Sequence, residues 1–455
     1  MNLKEKNVLV LGAGKTGISA ASFLIDKTKS LLISDSKNLS NHNGKINELI
    51  KLGVKTEFGK NSDEFISKSD LVVISPGISP NTDIVKKITL MGIPIISDIE
   101  LASYFIKKPI IAVTGTNGKT TTTSIIKHII NSTGKKAVAC GNIGVPVIEE
   151  IKNKDVDYFV IEISSFQIYY SPTLNCEIAV CLNITPDHLD WHLNYENYTK
   201  AKLKLFSQQK ENSWSVINLS DKNLKSLDLK NNTFYFTTEK TNPKLHKHIS
   251  YFENNILKIK KREEIIDIIN ATDLTIIGKH NIENSLASIS CASILGIEKE
   301  NIRNALKSFK GVEHRLEFIK RVKDKDFFND SKATNPESTI KAIEAISENQ
   351  KNKNITIILG GRDKKTELKS LAEAINKHVS EVILLGEAKG RFYNELKNFK
   401  FEKSINMADN LEDAVKKSLN SKSDVVLFSP ACSSFDMFKN YEERGNVFKE
   451  IIRKL

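Results

Sequence analysis

The apolar residues of this chain gather in short runs, within 8–11, 31–35, 70–77, 93–96, 109–113, 156–163 and 177–183, and again within 355–361, 382–386 and 424–430. Continuous rather than alternating runs of this length read as strands buried on both faces, and the stretches between them hold glycine turns and helical periods. The recurring strand, turn and helix predicts an α/β fold in three domains, at 1–108, 109–311 and 312–455. The first boundary falls at Lys107 and Lys108, the second near Gly311, where a helical stretch over 302–309 gives way to the polar Glu313, His314 and Arg315. From about 213 to 278 the runs shorten and alternate, as at 232–237, which predicts a small antiparallel region. A helix from about 282 to 295 closes the middle block.

One turn is more informative than the others. Residues 114–121 read Thr-Gly-Thr-Asn-Gly-Lys-Thr-Thr, directly after the run 109–113 and directly before the helix-like 122–130. Strand, turn and helix start would aim backbone N–H groups and the positive end of the helix dipole into one concavity, where Lys119 adds a cation and Thr120 a hydroxyl able to reach magnesium. Such a turn suits a nucleoside triphosphate. Its spacing is shorter than the common phosphate loop: five residues before Gly118 stands Val113, so the motif is Gly115-x-x-Gly118-Lys119-Thr120.

A second glycine turn, Gly12-x-Gly14-x-x-Gly17, follows the first strand, and Asp35 ends the next one. This is the dinucleotide fingerprint, and alone it suggests a nicotinamide-dependent oxidoreductase. A redox enzyme would leave the triphosphate turn unexplained. A nucleoside diphosphate sugar accommodates both turns, with Lys15, Thr16, Ser36 and Lys37 as candidate phosphate and uridine contacts.

In the middle block Glu162 ends a buried strand, where a carboxylate is costly without a cationic partner, and magnesium is the natural one. The following strand ends in 183–190, placing Asp187 and His188 on the adjoining loop at the same sheet edge. A helix through 198–206 carries Lys200, Lys202 and Lys204, read as a basic, solvated face. Asn281 and Asn284 are three apart at a helix start, so flanking an adenine and capping the helix both remain open.

Composition narrows the partners. With 455 residues, 40% hydrophobic and 27% charged, the chain reads as a soluble globular protein. No apolar run approaches the roughly 18 residues that cross a bilayer, and 1–7 lead straight into a strand without a secretory signal, so a cytoplasmic protein is expected. The net charge of +12 is spread without a run of five basic residues, which favours small polyanionic substrates over nucleic acid. Five cysteines without a Cys-x-x-Cys pair predict reduced thiols and no metal, and His246 and His248, a candidate ligand pair, are read as solvated surface because they lie in a lysine-rich loop without further ligands.

Together, 114–121, Asn142-Ile-Gly144, Asn183-x-x-x-Asp-His188, His280-Asn281-x-x-Asn284 and His314-Arg315 resemble the Mur ligases over essentially the whole chain. Glu162-Ile-Ser-Ser-Phe-Gln167, Asp330-Ser-Lys-Ala-Thr-Asn335, Gly360-Gly-Arg-Asp-Lys364 and Ser429-Pro-Ala-Cys-Ser-Ser-Phe-Asp-x-Phe438 are similar to the branch that adds D-glutamate. Two positions depart from that pattern: Lys15 stands where relatives are commonly apolar, and Arg362 precedes Asp363 where the spacing varies.

The resemblance implies a Rossmann-like N-terminal domain for a UDP-sugar, a central ATPase-type domain with a phosphate loop, and a Rossmann-like C-terminal domain for an amino acid. The implied reaction joins D-glutamate to UDP-N-acetylmuramoyl-L-alanine through an acyl phosphate, with ATP and Mg2+, in a monomer. Implied catalytic residues are Lys119, Glu162, His188 and Lys202; ATP would meet Gly115, Thr116, Asn117, Gly118, Lys119, Thr120, Thr121, Asn281, Asn284, Arg315 and Asp330. The UDP-sugar would meet Gly14, Lys15, Thr16, Asp35, Ser36, Lys37, Ser75 and Asn142, and D-glutamate would meet Thr334, Lys364, Ser434 and Tyr441. Metal would be held by Thr120, Glu162, His188 and a carbamylated Lys202. The nearest rivals are a sister ligase with another amino acid and a folylpolyglutamate synthase.

Overall fold

All ten apolar runs contribute strands to one of three sheets. The structure, a computed structural model, describes residues 2–38, 44–229, 231–349, 354–363 and 365–455. In the first sheet the order is Lys55–Phe58, Ser30–Asp35, Asn7–Leu11, Leu71–Ile74, Ile95–Ser97, with every neighbouring pair parallel. The runs are unbroken because both faces are covered: Val8 and Val10 enter one apolar cluster, Leu9 and Leu11 another. Chain order reverses beside Asn7–Leu11, so the Gly12 turn opens at the switch point where such sheets bind ligands.

The second sheet has nine strands, and the one before the phosphate turn, Ile110–Thr114, lies between Ile178–Cys181 and Tyr158–Glu162. Both pairings are parallel, with Val113 opposite Glu162 and Thr114 opposite Cys181. Register alone therefore brings Gly115, Glu162 and Leu182 to one edge. The expected antiparallel region is smaller than 213–278. Trp214–Asn218, Asn232–Thr237 and His248–Glu253 extend the sheet in parallel, and only His248–Glu253, Ile256–Lys261 and Glu264–Asn270 run antiparallel to one another. Alternation at 232–237 reports unequal burial of two faces and is silent on partner direction.

The third sheet is parallel through Lys325–Asn329, Val425–Phe428, Ile355–Gly360, Glu381–Leu385 and Ser404–Met407, with Glu317–Val322 added antiparallel at one edge. Contacts divide the chain into two compact units: 1–273 with 282–307, carrying the first two sheets, and 274–281 with 308–455, carrying the third. Among the described residues no helix is long and apolar enough to cross a membrane. All five cysteines are buried and free, and burial pushes the thiols of Cys140, Cys176 and Cys181 up to about 12.

Candidate active site

The phosphate turn depends on two glycines. Gly115 and Gly118 adopt φ of +146° and +87°, and a Cβ on Gly118 would lie 2.3 Å from Asn284 Oδ1. That same oxygen accepts from Thr122 Oγ1 at 3.2 Å, which ties the helix Lys279–Ile294 to the phosphate helix Lys119–Ser132. The turn differs from expectation in where its first amides point. Thr116 N–H donates to Asn183 O at 2.9 Å and Asn117 N–H to Asn183 Oδ1 at 2.8 Å, while Asn183 Nδ2 donates back to Asn117 O. Asn183 thus fixes the turn's shape, and anion binding falls to the helix N-terminus, which Gly118 leaves without a side-chain cap.

Lys119 arches over its own turn, its ammonium donating to Gly115 O and Thr116 O at 2.9 Å each. Thr120 Oγ1 donates to Glu162 Oε2 at 2.8 Å, and Glu162 Oε1 accepts from Asn142 Nδ2 at 2.9 Å. A hydroxyl and a carboxylate in contact at the foot of a phosphate turn are the kind of oxygen donors a hard cation would take. His188 is half-exposed beside Asp187 Oδ2 at 3.5 Å, its ring 4.7 Å from that of Phe166. Among the described residues no three His, Cys, Asp or Glu side chains group closely enough to hold a metal by themselves.

The basic helix is corrected by the structure. In Tyr195–Ser207, Lys200 is exposed and pairs with Glu196, but Lys202 is only 2% exposed. A helix turns about 100° per residue, so Lys200 and Lys204 share a side and Lys202 faces the opposite one. Its Nζ donates to Gly115 O at 2.9 Å and lies 4.8 Å from the Tyr198 ring centre. Burial, and then the nearby Lys119 charge, lower its pKa to about 7. Tyr198 OH shares a hydrogen with Thr116 Oγ1 at 2.9 Å, so this helix contacts the turn twice. Asn183 and Tyr198 had no role assigned from sequence, although both stand in segments adjoining the turn.

At the first glycine turn a Cβ on Gly17 would sit 1.9 Å from Gly12 O, and Ser75 Oγ donates to that carbonyl at 3.1 Å. Asp35 is engaged by the backbone: Oδ2 accepts from Ala13 N–H at 2.7 Å and Oδ1 from Lys37 N–H at 2.9 Å. Lys15 Nζ donates to Gly144 O at 2.7 Å, so it reaches the residue next but one to Asn142. Gly14, Ser36 and Lys37 are exposed and Thr16 and Ser75 half-buried around the same turn.

In the second unit Asn281 and Arg315 line a cavity of about 260 Å³ with Lys310, Phe318 and Phe328. Asn281 Nδ2 donates to Ile277 O at 2.7 Å. Asp330 lies behind Arg315, accepting from Ser429 Oγ at 2.7 Å and Leu316 N–H at 3.2 Å, and burial raises its pKa to about 6. Ser434 is buried and its carbonyl accepts from Met437 and Phe438 N–H. Tyr441 opens the helix Tyr441–Arg453 and has Lys332 Nζ 5.7 Å from its ring, while Thr334 is half-buried just before Pro336–Asn349. Lys364 lies outside the described residues.

Three family models match consecutive stretches: a Mur ligase MurD-like N-terminal domain over 6–97, a Mur ligase middle domain over 113–292, and a Mur ligase, glutamate ligase domain over 314–432. The chain is 39% identical over 459 residues to a UDP-N-acetylmuramoylalanine--D-glutamate ligase of Thermoanaerobacter pseudethanolicus, covering 100% of both chains. It is 37% identical over 461 residues to the Koribacter versatilis protein of that name, covering 100% of this chain and 99% of the relative. Its fold is similar to the UDP-N-acetylmuramate-alanine ligase MurC of Thermotoga maritima, with TM-score 0.60 at 20% identity, covering 99% of this chain and 100% of the other. It is similar also to the Thermotoga maritima MurF ligase in complex with ADP, with TM-score 0.60 at 18% identity, covering 99% and 96%.

Proposed function

The chain belongs to the Mur ligase family, and from that premise we propose that it is an ATP-dependent ligase adding D-glutamate to UDP-N-acetylmuramoyl-L-alanine in peptidoglycan precursor synthesis. The reaction takes place in the cytoplasm. The UDP-sugar occupies the first turn at Gly14, Lys15, Thr16, Asp35, Ser36, Lys37 and Ser75, with Asn142 reaching it from the second sheet. D-glutamate meets Thr334, Lys364, Ser434 and Tyr441. The observation that carries the reading is the phosphate turn, whose strand pairs Val113 with Glu162, whose amides bond Asn183, and whose Gly115 O accepts from two lysines.

The sugar-borne carboxylate attacks the γ-phosphorus of ATP; the new O–P bond forms as the bond to the β-phosphate oxygen breaks and ADP departs. The D-glutamate amine then attacks the acyl carbon, the C–O bond breaks, phosphate leaves and the amine loses a proton. Two anions meet in the first step, and unit charges 4 Å apart repel by about 4 kcal/mol at an effective dielectric near 20. Lys119 offsets that repulsion by turning its ammonium from two neutral carbonyls to the phosphate oxygens. Magnesium, when bound, neutralises further phosphate charge, and Thr120 and Glu162 supply its oxygen donors.

Lys202 is prepared for carbamylation. With a pKa near 7 a large share of its amines is uncharged at neutral pH, and a free amine adds to carbon dioxide, forming an N–C bond and releasing a proton. A buried cation beside Lys119 becomes an anion with two oxygens. His188 adds an imidazole at the same edge.

Phosphate release measured with the UDP-sugar and a panel of amino acids tests the substrate: D-glutamate alone should support turnover, and equal turnover with L-lysine or L-alanine would sink the reading. Oxygen-18 placed in the sugar-borne carboxylate should appear in released phosphate; its absence would exclude the acyl phosphate.

A further inference from the structure

We propose that Glu317, held by Lys449, is the positioning residue for Arg315. The inference rests on the proposed ligase function and on Arg315 meeting ATP, as the resemblance to the Mur ligases implies.

The residues on either side of Arg315 are each anchored through the backbone N–H by a carboxylate, and Arg315 N–H itself donates to Val312 O at 3.1 Å. On one side His314 N–H donates to Glu317 Oε2 at 2.9 Å; on the other Leu316 N–H donates to Asp330 at 3.2 Å. Neither anchor touches the guanidinium by these bonds, yet together they set the direction in which residue 315 leaves the backbone. The backbone needs such fixing, because His314 and Leu316 both adopt positive φ, 63° and 42°, where residues with a Cβ are strained. Released from the carboxylates, the turn would relax toward ordinary angles and swing Arg315 out of the cavity it shares with Asn281.

Glu317 is in turn held from three sides. Its Oε2 also accepts from Asn329 Nδ2 at 3.2 Å, and Lys449 Nζ lies 3.5 Å from Oε1 while bonding Glu313 as well. Lys449 is 4% exposed, four residues after Gly445 on the helix Tyr441–Arg453. A Cβ at Gly445 would lie 2.2 Å from His314 Nδ1. The helix thus admits the imidazole through a missing side chain and, one turn later, secures the glutamate with an ammonium. Asn329 Oδ1 accepts from Ser331 N–H at 3.1 Å, which fixes its amide so that Nδ2 donates to His314 Nδ1 at 3.0 Å. The imidazole is therefore a neutral acceptor, consistent with burial and then Lys449 lowering its pKa. His314 carries no charge that could serve the nucleotide, and its part is to hold the turn.

The experiment compares Glu317→Ala, Glu317→Gln, Arg315→Ala and the double variant Glu317→Ala/Arg315→Ala in the full chain, reading KM for ATP and for D-glutamate, ADP affinity by calorimetry, and Tm. Glu317→Ala should raise KM for ATP and weaken ADP about tenfold while moving KM for D-glutamate less than about twofold. Glu317→Gln keeps an acceptor for His314 N–H and should recover most of that loss. In the double variant ADP should bind as in Arg315→Ala alone, because an arginine that is absent cannot be misdirected. Equal losses for both substrates tracking a fall in Tm, or additive losses in the double variant, overturn the proposal. An unchanged ADP affinity in Arg315→Ala would instead sink the nucleotide role of Arg315. Should Glu317→Ala fail to fold, Lys449→Met carries the same expectations.

Discussion

The first unit contains two turns of the same kind, each a buried strand, a glycine corner and a helix start, and they differ in what their neighbours do. At Gly12–Gly17 the protein engages the turn with its own groups: Asp35 holds Ala13 N–H, Ser75 holds Gly12 O, and Lys15 leans on Gly144 O. At Gly115–Thr120 Asn183 engages the backbone in the same way, but the neighbours also concentrate charge, with Lys119 and Lys202 converging on Gly115 O and Glu162 waiting on Thr120. A glycine turn thus specifies backbone shape, and the adjoining strand ends decide which groups surround it; on the function proposed here the first turn would hold a diphosphate and the second would act on a triphosphate.

The sharpest way to break this contrast is to remove the corresponding lysines. Lys119→Ala should lower turnover by about a hundredfold to a thousandfold with Tm unchanged, as loss of a group stabilising transition-state charge does. Lys15→Ala, losing an exposed charge contact, should cost about 1 kcal/mol or less in UDP-sugar binding. Comparable losses would erase the distinction.

A second test replaces the crowded glycines. Gly17→Ala drives a methyl into Gly12 O and Gly118→Ala drives one into Asn284 Oδ1. Both should destabilise by about 1–3 kcal/mol in urea unfolding, but only Gly118→Ala should weaken ATP, and only Gly17→Ala the UDP-sugar.

A third test concerns Lys202. Its folded pKa of about 7 lies below the unfolded value of 10.5, so between these pH values the unfolded chain binds a proton the folded chain does not. Stability should therefore rise with pH across that window, the penalty of the buried charge being complete below pH 7. In carbon dioxide-free buffer Lys202→Met should flatten this slope, gaining most over the parent chain in acid. An unaltered slope would show that Lys202 is not the titrating group.

Much of this was legible in the chain. A turn of fixed composition between an apolar run and a helical period is a local signal, and 109–130 formed as read. Lys202 was not legible as buried, since three lysines two apart look like one basic face until a helix axis separates the middle one from its companions. The part Asn183 plays was hidden for a different reason: it depends on the register of Ile178–Cys181 beside Ile110–Thr114, a pairing between segments some 65 residues apart. Glu317 and Lys449 are separated by 132 positions and meet only once the third sheet and its last helix have packed.

The sequestered thiols give the molecule a practical property. With none of the five native cysteines at the surface, maleimide dyes would find no competing sulfur, so a cysteine introduced on the exterior of each unit could be labelled cleanly. The distance between the two dyes could then be followed by energy transfer as substrates are added one at a time.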